Sequence, residues 1–231
     1  MAAGEALHTG AGTQHAVRDA GGIQGGGTYL WFFHGLRRFS EDLDFTAIGE
    51  LDENVIETVA RGLGLFGVEN EQKPIKRDKN TFSFRIAARG PLNTGAKDLC
   101  FVYVEISRRE DIIEKCVPIK LDLPAYQIPI KRLSGMSLNE VAAEKVRAVL
   151  TRKRARDLYD LNHLIKEKEV RFNRSMAEMK LEYYGRRFLE GEFVDDAESM
   201  RRSYRKELEG IVFGDLPSFG SVMESLRKWV H

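Results

Sequence analysis

The sequence predicts an α+β fold in which strands come first and helices follow. Three stretches, 42–48, 81–87 and 99–107, either alternate apolar with polar residues or run apolar for several residues, as β-strands do. From Ser134 onward the apolar residues recur instead at helical spacing. We therefore expect three regions along the chain: an irregular N-terminal segment at 1–22, a mixed core at 23–132 and a helical C-terminal domain at 133–231.

The composition is that of a folded protein without a membrane-embedded part. The chain has 231 residues and 42% hydrophobic content, which is enough for one large core or two modest ones. No apolar run approaches the length of a membrane span, and the first residues lack a basic-then-apolar signal peptide. Cys100 and Cys116 do not suggest a disulfide framework. We expect a cytoplasmic protein with reduced thiols.

A Gly-Gly-Gly-Thr turn at 25–28 is the first feature with chemical meaning. Only Ile23 and Gln24 hint at a strand before it, and Tyr29 to His34 would form a short buried helix that ends at Gly35. Glycines let the backbone approach a ligand closely, and the free N–H groups of a helix that begins at Thr28 would favour an anion. The turn therefore predicts a phosphate cradle; a purely geometric role is the commoner alternative for an isolated glycine turn.

Two aspartates follow on the predicted strand at 42–48. Asp42 and Asp44 are two residues apart, so they would project from one face while Leu43 and Phe45 face the core. Two ionised carboxylates side by side repel unless a cation lies between them, and such oxygen ligands suit Mg²⁺ together with substrate phosphates. The pair therefore indicates a metal site, with a solvated strand end as the commoner alternative for an isolated Asp-x-Asp.

The rest of the core is predicted from shorter signals. Helical spacing favours a helix over 52–63 that ends at Gly62 and Gly64. In the strand 99–107, Glu105 shares a face with aromatic residues and is either a paired or edge glutamate or a third carboxylate beside the two aspartates. A further strand is expected at 117–121, followed by a loop marked by three prolines: Pro118, Pro124 and Pro129.

The helical domain opens with a capping box that begins at Ser137. Lys145 and Arg152 are seven residues apart, two helical turns, so they lie near one face. They belong to a run of cations that either attracts phosphates or forms a solvated helix face: Lys145, Arg147, Arg152, Lys153, Arg154 and Arg156. In the next helix, Asp157 either has a functional role or simply caps the helix or pairs with a neighbouring arginine.

In their order along the chain, four stretches resemble the motifs of the nucleotidyltransferase AbiEii/AbiGii toxin family: Gly26 to Thr28, Arg38 to Phe45, Glu144 to Ala148 and Arg156 to Leu161. The resemblance covers about residues 23–165. It implies a polymerase-β-like nucleotidyltransferase core, a small mixed sheet with helices, followed by a helical region. It also implies Mg²⁺ or Mn²⁺, a nucleoside triphosphate substrate, a cognate antitoxin and, as in some members, the 3′ end of tRNA as acceptor.

Carried over by position, the resemblance implies a role for each matching residue. The implied nucleotide-binding residues are Gly26, Gly27, Thr28, Ser40, Lys145 and Arg152; the implied metal ligands are Asp42, Asp44 and Glu105; and the implied catalytic residues are Asp42, Asp44, Lys145 and Asp157.

The resulting hypothesis is two-metal nucleotidyl transfer by the toxin of a toxin–antitoxin system. Family members normally have a helix and a strand before the glycines, and residues 1–22 show neither pattern. This departure leaves open an alternative, a non-catalytic member that binds a nucleotide or a partner. A third hypothesis, a sugar-nucleotide metal site in a glycosyltransferase, is disfavoured because the βαβ alternation of dinucleotide-type folds is missing.

Overall fold

The computed structural model describes residues 22–51, 54–90, 93–95, 98–124 and 128–231. These residues form two compact units. The first takes its described residues from Met1–Phe33 and Glu41–Met136, and the second consists of His34–Ser40 and Ser137–His231. The chain therefore enters the second unit at His34, returns to the first at Glu41 and enters the second again at Ser137. None of the described helices is both long and apolar enough to cross a bilayer.

The first unit is built on a mixed sheet whose strands lie in the order β3-β4-β5-β2-β1-β7-β6. Two neighbouring pairs are parallel, β2 with β5 and β1 with β7, and the others are antiparallel. The described elements are β1 Gly22–Gln24, α1 Gly26–His34, β2 Leu43–Ala47, α2 Val55–Leu65, β3 Asn70–Arg77, β4 Thr81–Ala88, β5 Cys100–Ser107, β6 Val117–Leu123 and β7 Ile128–Gly135.

One face of this sheet carries the core of the first unit. Because side chains alternate along a strand, β2, β4 and β5 each turn an apolar row toward the helix α2. This row includes Leu43, Phe45, Phe84 and Val104, which are buried together with Val59 of α2. The alternation predicted for β5 is confirmed, since Phe101 and Tyr103 lie on the opposite face and stay exposed.

The second unit contains six described helices: α3 Leu138–Arg152, α4 Ala155–Glu167, α5 Arg174–Glu182, α6 Glu190–Ser199, α7 Arg201–Leu208 and α8 Phe219–Val230. The N-cap of the predicted capping box is confirmed, because the Ser137 side chain accepts a hydrogen bond from the Glu140 backbone N–H at 3.1 Å, while the Glu140 carboxylate pairs with Lys180 at 2.7 Å. The segment 34–40 joins this unit through backbone hydrogen bonds, from Phe39 N–H to the Ile211 carbonyl at 2.7 Å and from Phe213 N–H to the Arg37 carbonyl at 2.8 Å.

The predicted α+β class, with a mixed sheet followed by helices, is confirmed, and the structure corrects three details. Helix α1 begins at Gly26 rather than Thr28. Helix α2 continues through Gly62 and Gly64 to Leu65. Each glycine costs about 1 kcal/mol of helix stability, and burial of the apolar face of α2 outweighs that cost. Pro118 and Pro129 lie within β6 and β7 instead of a loop. Proline is tolerated in an edge strand such as β6, where no ladder hydrogen bond is required of its nitrogen.

Candidate active site

The glycine turn of the first unit leads directly into helix α1. Gly26 has a φ of +76°, a conformation that side-chain-bearing residues rarely adopt. The backbone N–H of Gly25 donates to the Asp44 carbonyl at 3.2 Å, which ties the turn to strand β2. The first N–H groups of α1 have no acceptor within their own helix, so this end of the helix suits an anion.

Gly26 packs against the side chain of Asp44. A Cβ atom added to Gly26 would lie 2.6 Å from Asp44 Oδ2 and 3.0 Å from Asp44 Cβ, so only glycine fits there. Two residues further on, the Thr28 hydroxyl donates to the Asp42 carbonyl oxygen. The structure thus brings Gly26, Gly27, Thr28, Asp42 and Asp44 together. The Thr28 hydroxyl therefore links helix α1 to Asp42, the residue directly before strand β2.

The two aspartates lie at the start of strand β2. Asp44 is an exposed residue within the strand, and Asp42 is half-buried directly before it. Leu43 and Phe45, which alternate with them, are buried in the core. The side chains of the aspartates therefore belong to the sheet face opposite the core, as the alternation predicts.

Glu105 lies next to Asp44 on the neighbouring parallel strand, in register with it. Its carboxylate accepts from the guanidinium of Arg109, which also donates to the Ser107 hydroxyl at 3.1 Å. Within the described part of the chain, no group of three or more His, Cys, Asp or Glu side chains is arranged to hold a metal ion. The three-carboxylate set Asp42, Asp44 and Glu105 therefore stays a prediction.

The donor set nevertheless fits a magnesium ion that arrives with phosphates. Mg²⁺ is usually bound by one or two carboxylates and completed by substrate oxygens and water. Asp42 and Asp44 supply two such carboxylates, and the glycine at position 26 lets the start of helix α1 approach Asp44 closely. We take these two aspartates as the residues that would hold the ion.

Lys145 lies at the centre of a buried ionic network in the second unit. Its side chain is 6% exposed, and Nζ lies 2.9 Å from Asp157 Oδ1 and 2.6 Å from Asp160 Oδ2. Each aspartate also binds an arginine through both of its carboxylate oxygens. Arg152 approaches Asp157 at 2.8 and 2.9 Å, and Arg38 approaches Asp160 at 2.6 and 2.7 Å.

The network keeps both aspartates ionised although they are fully buried. Burial alone would raise the pKa of Asp157, but Lys145 and Arg152 outweigh it and hold that pKa well below its usual range. The pKa of Asp160 is likewise lowered, because Arg38 and Lys145 outweigh its burial. The five side chains carry three cations and two carboxylates, so the cluster keeps one net positive charge.

The predicted residues of the second unit are thus partly brought together. Lys145, Arg152 and Asp157 meet in one network, and the pairing of Asp157 with Arg152 was one of the alternatives open in the sequence. Ser40 lies half-buried at the end of the segment 34–40. Sequence reasoning gave no role to Arg38 or Asp160, although Asp160 follows Asp157 by three residues and so lies on the same helix face.

Comparison with solved structures shows the same fold in three proteins. A candidate nucleotidyltransferase from H. pylori has a TM-score of 0.70 and 20% identity, over 96% of this chain and 89% of that one. JHP933 from Helicobacter pylori has a TM-score of 0.66 and 17% identity, over 96% and 87%. MenT4, the nucleotidyltransferase toxin Rv2826c from Mycobacterium tuberculosis H37Rv, has a TM-score of 0.61 and 21% identity, over 96% and 80%.

Comparison with curated protein sequences finds no significant match. The family described as nucleotidyl transferase AbiEii toxin, type IV TA system, matches residues 25–227 and so spans the glycine turn, the aspartate pair and the buried ionic network. The chain therefore belongs to the AbiEii family of nucleotidyl transferase toxins of type IV toxin–antitoxin systems, and it is a nucleotidyltransferase.

Proposed function

We propose that this toxin transfers a nucleoside monophosphate from a nucleoside triphosphate to the 3′ hydroxyl of tRNA, with Mg²⁺, in the cytoplasm, and that a cognate antitoxin opposes it. The acceptor oxygen bonds to the α-phosphorus, and pyrophosphate leaves as the α–β phosphoanhydride bond breaks. Family membership supports the reaction class and the antitoxin. The observation that carries the finer proposal is the packing of Gly26 against Asp44, because it joins an anion-binding helix end to a carboxylate pair.

In this proposal each part of the first unit has a distinct task. The free N–H groups of α1, from Gly26 onward, bind the triphosphate. Asp42 and Asp44 would hold Mg²⁺, which would supply charge neutralisation and lower the pKa of the acceptor hydroxyl. Thr28 fixes the turn to the strand through its bond to the Asp42 carbonyl, so that both parts keep their relative position.

The second unit contributes positive charge. The network of Lys145 and Arg152 keeps one net positive charge, and we assign it the task of attracting negatively charged substrates. Arg152 is 44% exposed at its side chain and so can meet a ligand without leaving Asp157. Asp157 contacts Lys145 and Arg152, so we assign it the task of positioning these cations.

The metal assignment is tested with Asp44→Asn, which keeps the shape of the side chain and removes its charge. Loss of a metal ligand removes several kcal/mol of transition-state stabilisation, so transfer of label from an α-labelled triphosphate to tRNA should fall by about 10³-fold or more. Asp122→Asn is the matched control, an aspartate on strand β6 that pairs with Lys120 at the surface. Wild-type transfer by Asp44→Asn would refute the assignment.

The acceptor is tested separately by mass spectrometry of tRNA incubated with the protein and each nucleoside triphosphate. We expect one or more nucleotides added at the 3′ end by the wild type and none by Asp44→Asn. If label enters another RNA or a protein instead, the tRNA part of the proposal fails and nucleotidyl transfer stands.

A further inference from the structure

The outer face of strands β3, β4 and β5 exposes two aromatic rings that no core explains. Phe101 is 44% exposed and Tyr103 is 46% exposed, while Val102 and Val104, which alternate with them on β5, are buried in the core that includes α2. Arg85 of β4 and Lys73 of β3 share this surface. We call Phe101, Tyr103, Arg85 and Lys73 the aromatic face.

The register of the sheet places the aromatic face beside the aspartate pair. Tyr103 is opposite Arg85, and Arg85 is opposite Lys73, so all three side chains lie on one side of the sheet. Glu105, on the same side of β5 as Tyr103, is in register with Asp44. Residues two apart on a strand are separated by about 6.6 Å, so the rings follow one another outward from Asp44.

The cations of this face are placed for phosphates. The Arg85 guanidinium lies over the Phe101 ring, with Cζ 4.7 Å from the ring centroid. The edge strand β3 adds the exposed cation Lys73, which lies opposite Arg85 in the sheet register.

We propose that the aromatic face binds the unpaired nucleotides that precede the acceptor's 3′ end. Their bases stack on Phe101 and Tyr103, and Arg85 and Lys73 contact their phosphates. Exposed aromatic rings interleaved with cations on a sheet are suited to single-stranded nucleic acid, because every base has a flat face and every linkage a charge. The inference rests on the proposed function, which puts the reacting 3′ hydroxyl at Asp44.

A role in edge protection explains only part of the surface. Lysines and a proline on an edge strand discourage pairing with another chain, and Lys73 and Pro74 of β3 fit that role. The two exposed rings belong to β5, which is separated from the edge strand β3 by β4, so protection of the β3 edge does not account for them. The mixture of charge and isolated rings also differs from the contiguous apolar area typical of a stable protein interface.

The test measures binding of a short fluorescein-labelled single-stranded RNA and, separately, the KM values for that RNA and for the triphosphate. Phe101→Val and Tyr103→Val remove the rings but keep a residue suited to strands. Each should weaken RNA binding by about 5-fold or more and raise the RNA KM, with the triphosphate KM unchanged. Tyr103→Phe, which retains the ring, should bind as the wild type does, and so should Tyr183→Ala, whose ring is 47% exposed in the second unit.

Arg85→Gln and Lys73→Gln should each reduce the slope of log affinity against log salt concentration by about 0.7, the value for one phosphate contact on a single strand. Unfolding midpoints near that of the wild type confirm that the variants are folded. Wild-type RNA affinity in both valine variants would overturn the inference, as would loss of antitoxin binding with RNA binding unchanged. If the wild type transfers no nucleotide but its RNA affinity depends on the rings, the proposed function fails and the RNA surface stands.

Discussion

Two aspartate pairs in this protein have opposite environments. In the first unit Asp44 is exposed, and among the described residues no cation pairs with its carboxylate. In the second unit Asp157 and Asp160 are fully buried, and each binds an arginine as well as the shared Lys145. A carboxylate that has no cationic partner in the protein can bind a metal ion that arrives with the substrate. A carboxylate that already binds an arginine and a lysine instead holds those two side chains in place.

The difference assigns separate tasks to one residue type. Asp44, the exposed member of the first pair, suits a metal ligand, which must exchange its partners during the reaction. Asp157 and Asp160 suit positioning, because their lowered pKa values reflect fixed contacts with Arg38, Lys145 and Arg152. A network with one excess positive charge also remains attractive to a phosphate without being opened. The following changes test the comparison, from the largest expected effect to the smallest.

Asp160→Asn should have the largest effect on stability. It leaves Arg38 and Lys145 buried with one carboxylate fewer, and breaking a buried pair in this way lowers the free energy of unfolding by about 3–5 kcal/mol. Asp44→Asn, at an exposed position, should change it by about 0.5 kcal/mol or less. Urea unfolding followed by circular dichroism measures both.

The control for Asp160→Asn is Glu224→Gln, which removes an exposed ion pair with Lys228 on α8 of the same unit and should leave the urea midpoint unchanged. If Asp160→Asn unfolds at the same urea concentration as Glu224→Gln, the network does not hold the second unit together, and the contrast between the two aspartate pairs is lost.

Gly26→Ala should lower the free energy of unfolding less than Asp160→Asn does, but it should strongly reduce nucleotide transfer. Its Cβ would meet Asp44 Oδ2 at 2.6 Å, in a backbone conformation that alanine rarely adopts. We expect the free energy of unfolding to fall by about 1–3 kcal/mol. Because the added Cβ would also displace Asp44, nucleotide transfer should fall strongly. The measurements are the urea midpoint and transfer from a labelled triphosphate.

Gly62→Ala is the matched control, because Gly62 lies inside helix α2 and an added Cβ would find open space within 4 Å. Alanine should stabilise this helix by about 0.5–1 kcal/mol and leave transfer unchanged. Full activity in Gly26→Ala would show that close packing of the turn on Asp44 is not needed, and the phosphate cradle would have to be abandoned.

The sequence predicts best those elements whose pattern is set by a single buried face. Strands β2, β4 and β5 alternate because one side packs on α2, and their positions are confirmed within one or two residues. Strand β3 escapes prediction because it is an edge strand that is exposed along most of its length, so no apolar period marks it. Strand β7 escapes because Pro129 reads as a loop signal, although its register with β6 is carried by other residues.

The candidate site divides in the same way. Gly26, Asp42 and Asp44 are close in sequence, so local spacing is enough to associate them. The buried network joins Arg38 to Asp160 across 122 residues, and no local pattern indicates that pairing. Lys153 shows the same limit, since its carboxylate partner Asp196 lies on α6, far along the chain. Carboxylates that lie far along the chain pair with these cations only after the helices pack, so the sequence alone does not identify those pairs.

The change with the smallest expected effect concerns His34, and it tests whether a positive charge on this residue destabilises the second unit. The pKa of His34 is lowered from 6.5 to about 4, first because the ring is half-buried and then because Lys168 and His163 lie near it. The folded state therefore binds fewer protons than the unfolded state in this range. The stability from neutral His34 is fully present above pH 6.5 and is lost as the pH falls from 6.5 through about 4.

His34→Gln removes this titration, so its free energy of unfolding should decline less steeply than that of the wild type between pH 6.5 and 4. A residual slope remains because the pKa of His163 is also lowered, chiefly by burial. His231→Gln changes a histidine whose side chain is 88% exposed, and it should reproduce the wild-type slope. Urea unfolding at several pH values measures the three slopes. Equal slopes for His34→Gln and the wild type would mean that His34 is protonated as easily in the folded state as in the unfolded state. A charge at His34 would then cost no more stability than a charge at the exposed start of strand β2, where Asp44 lies.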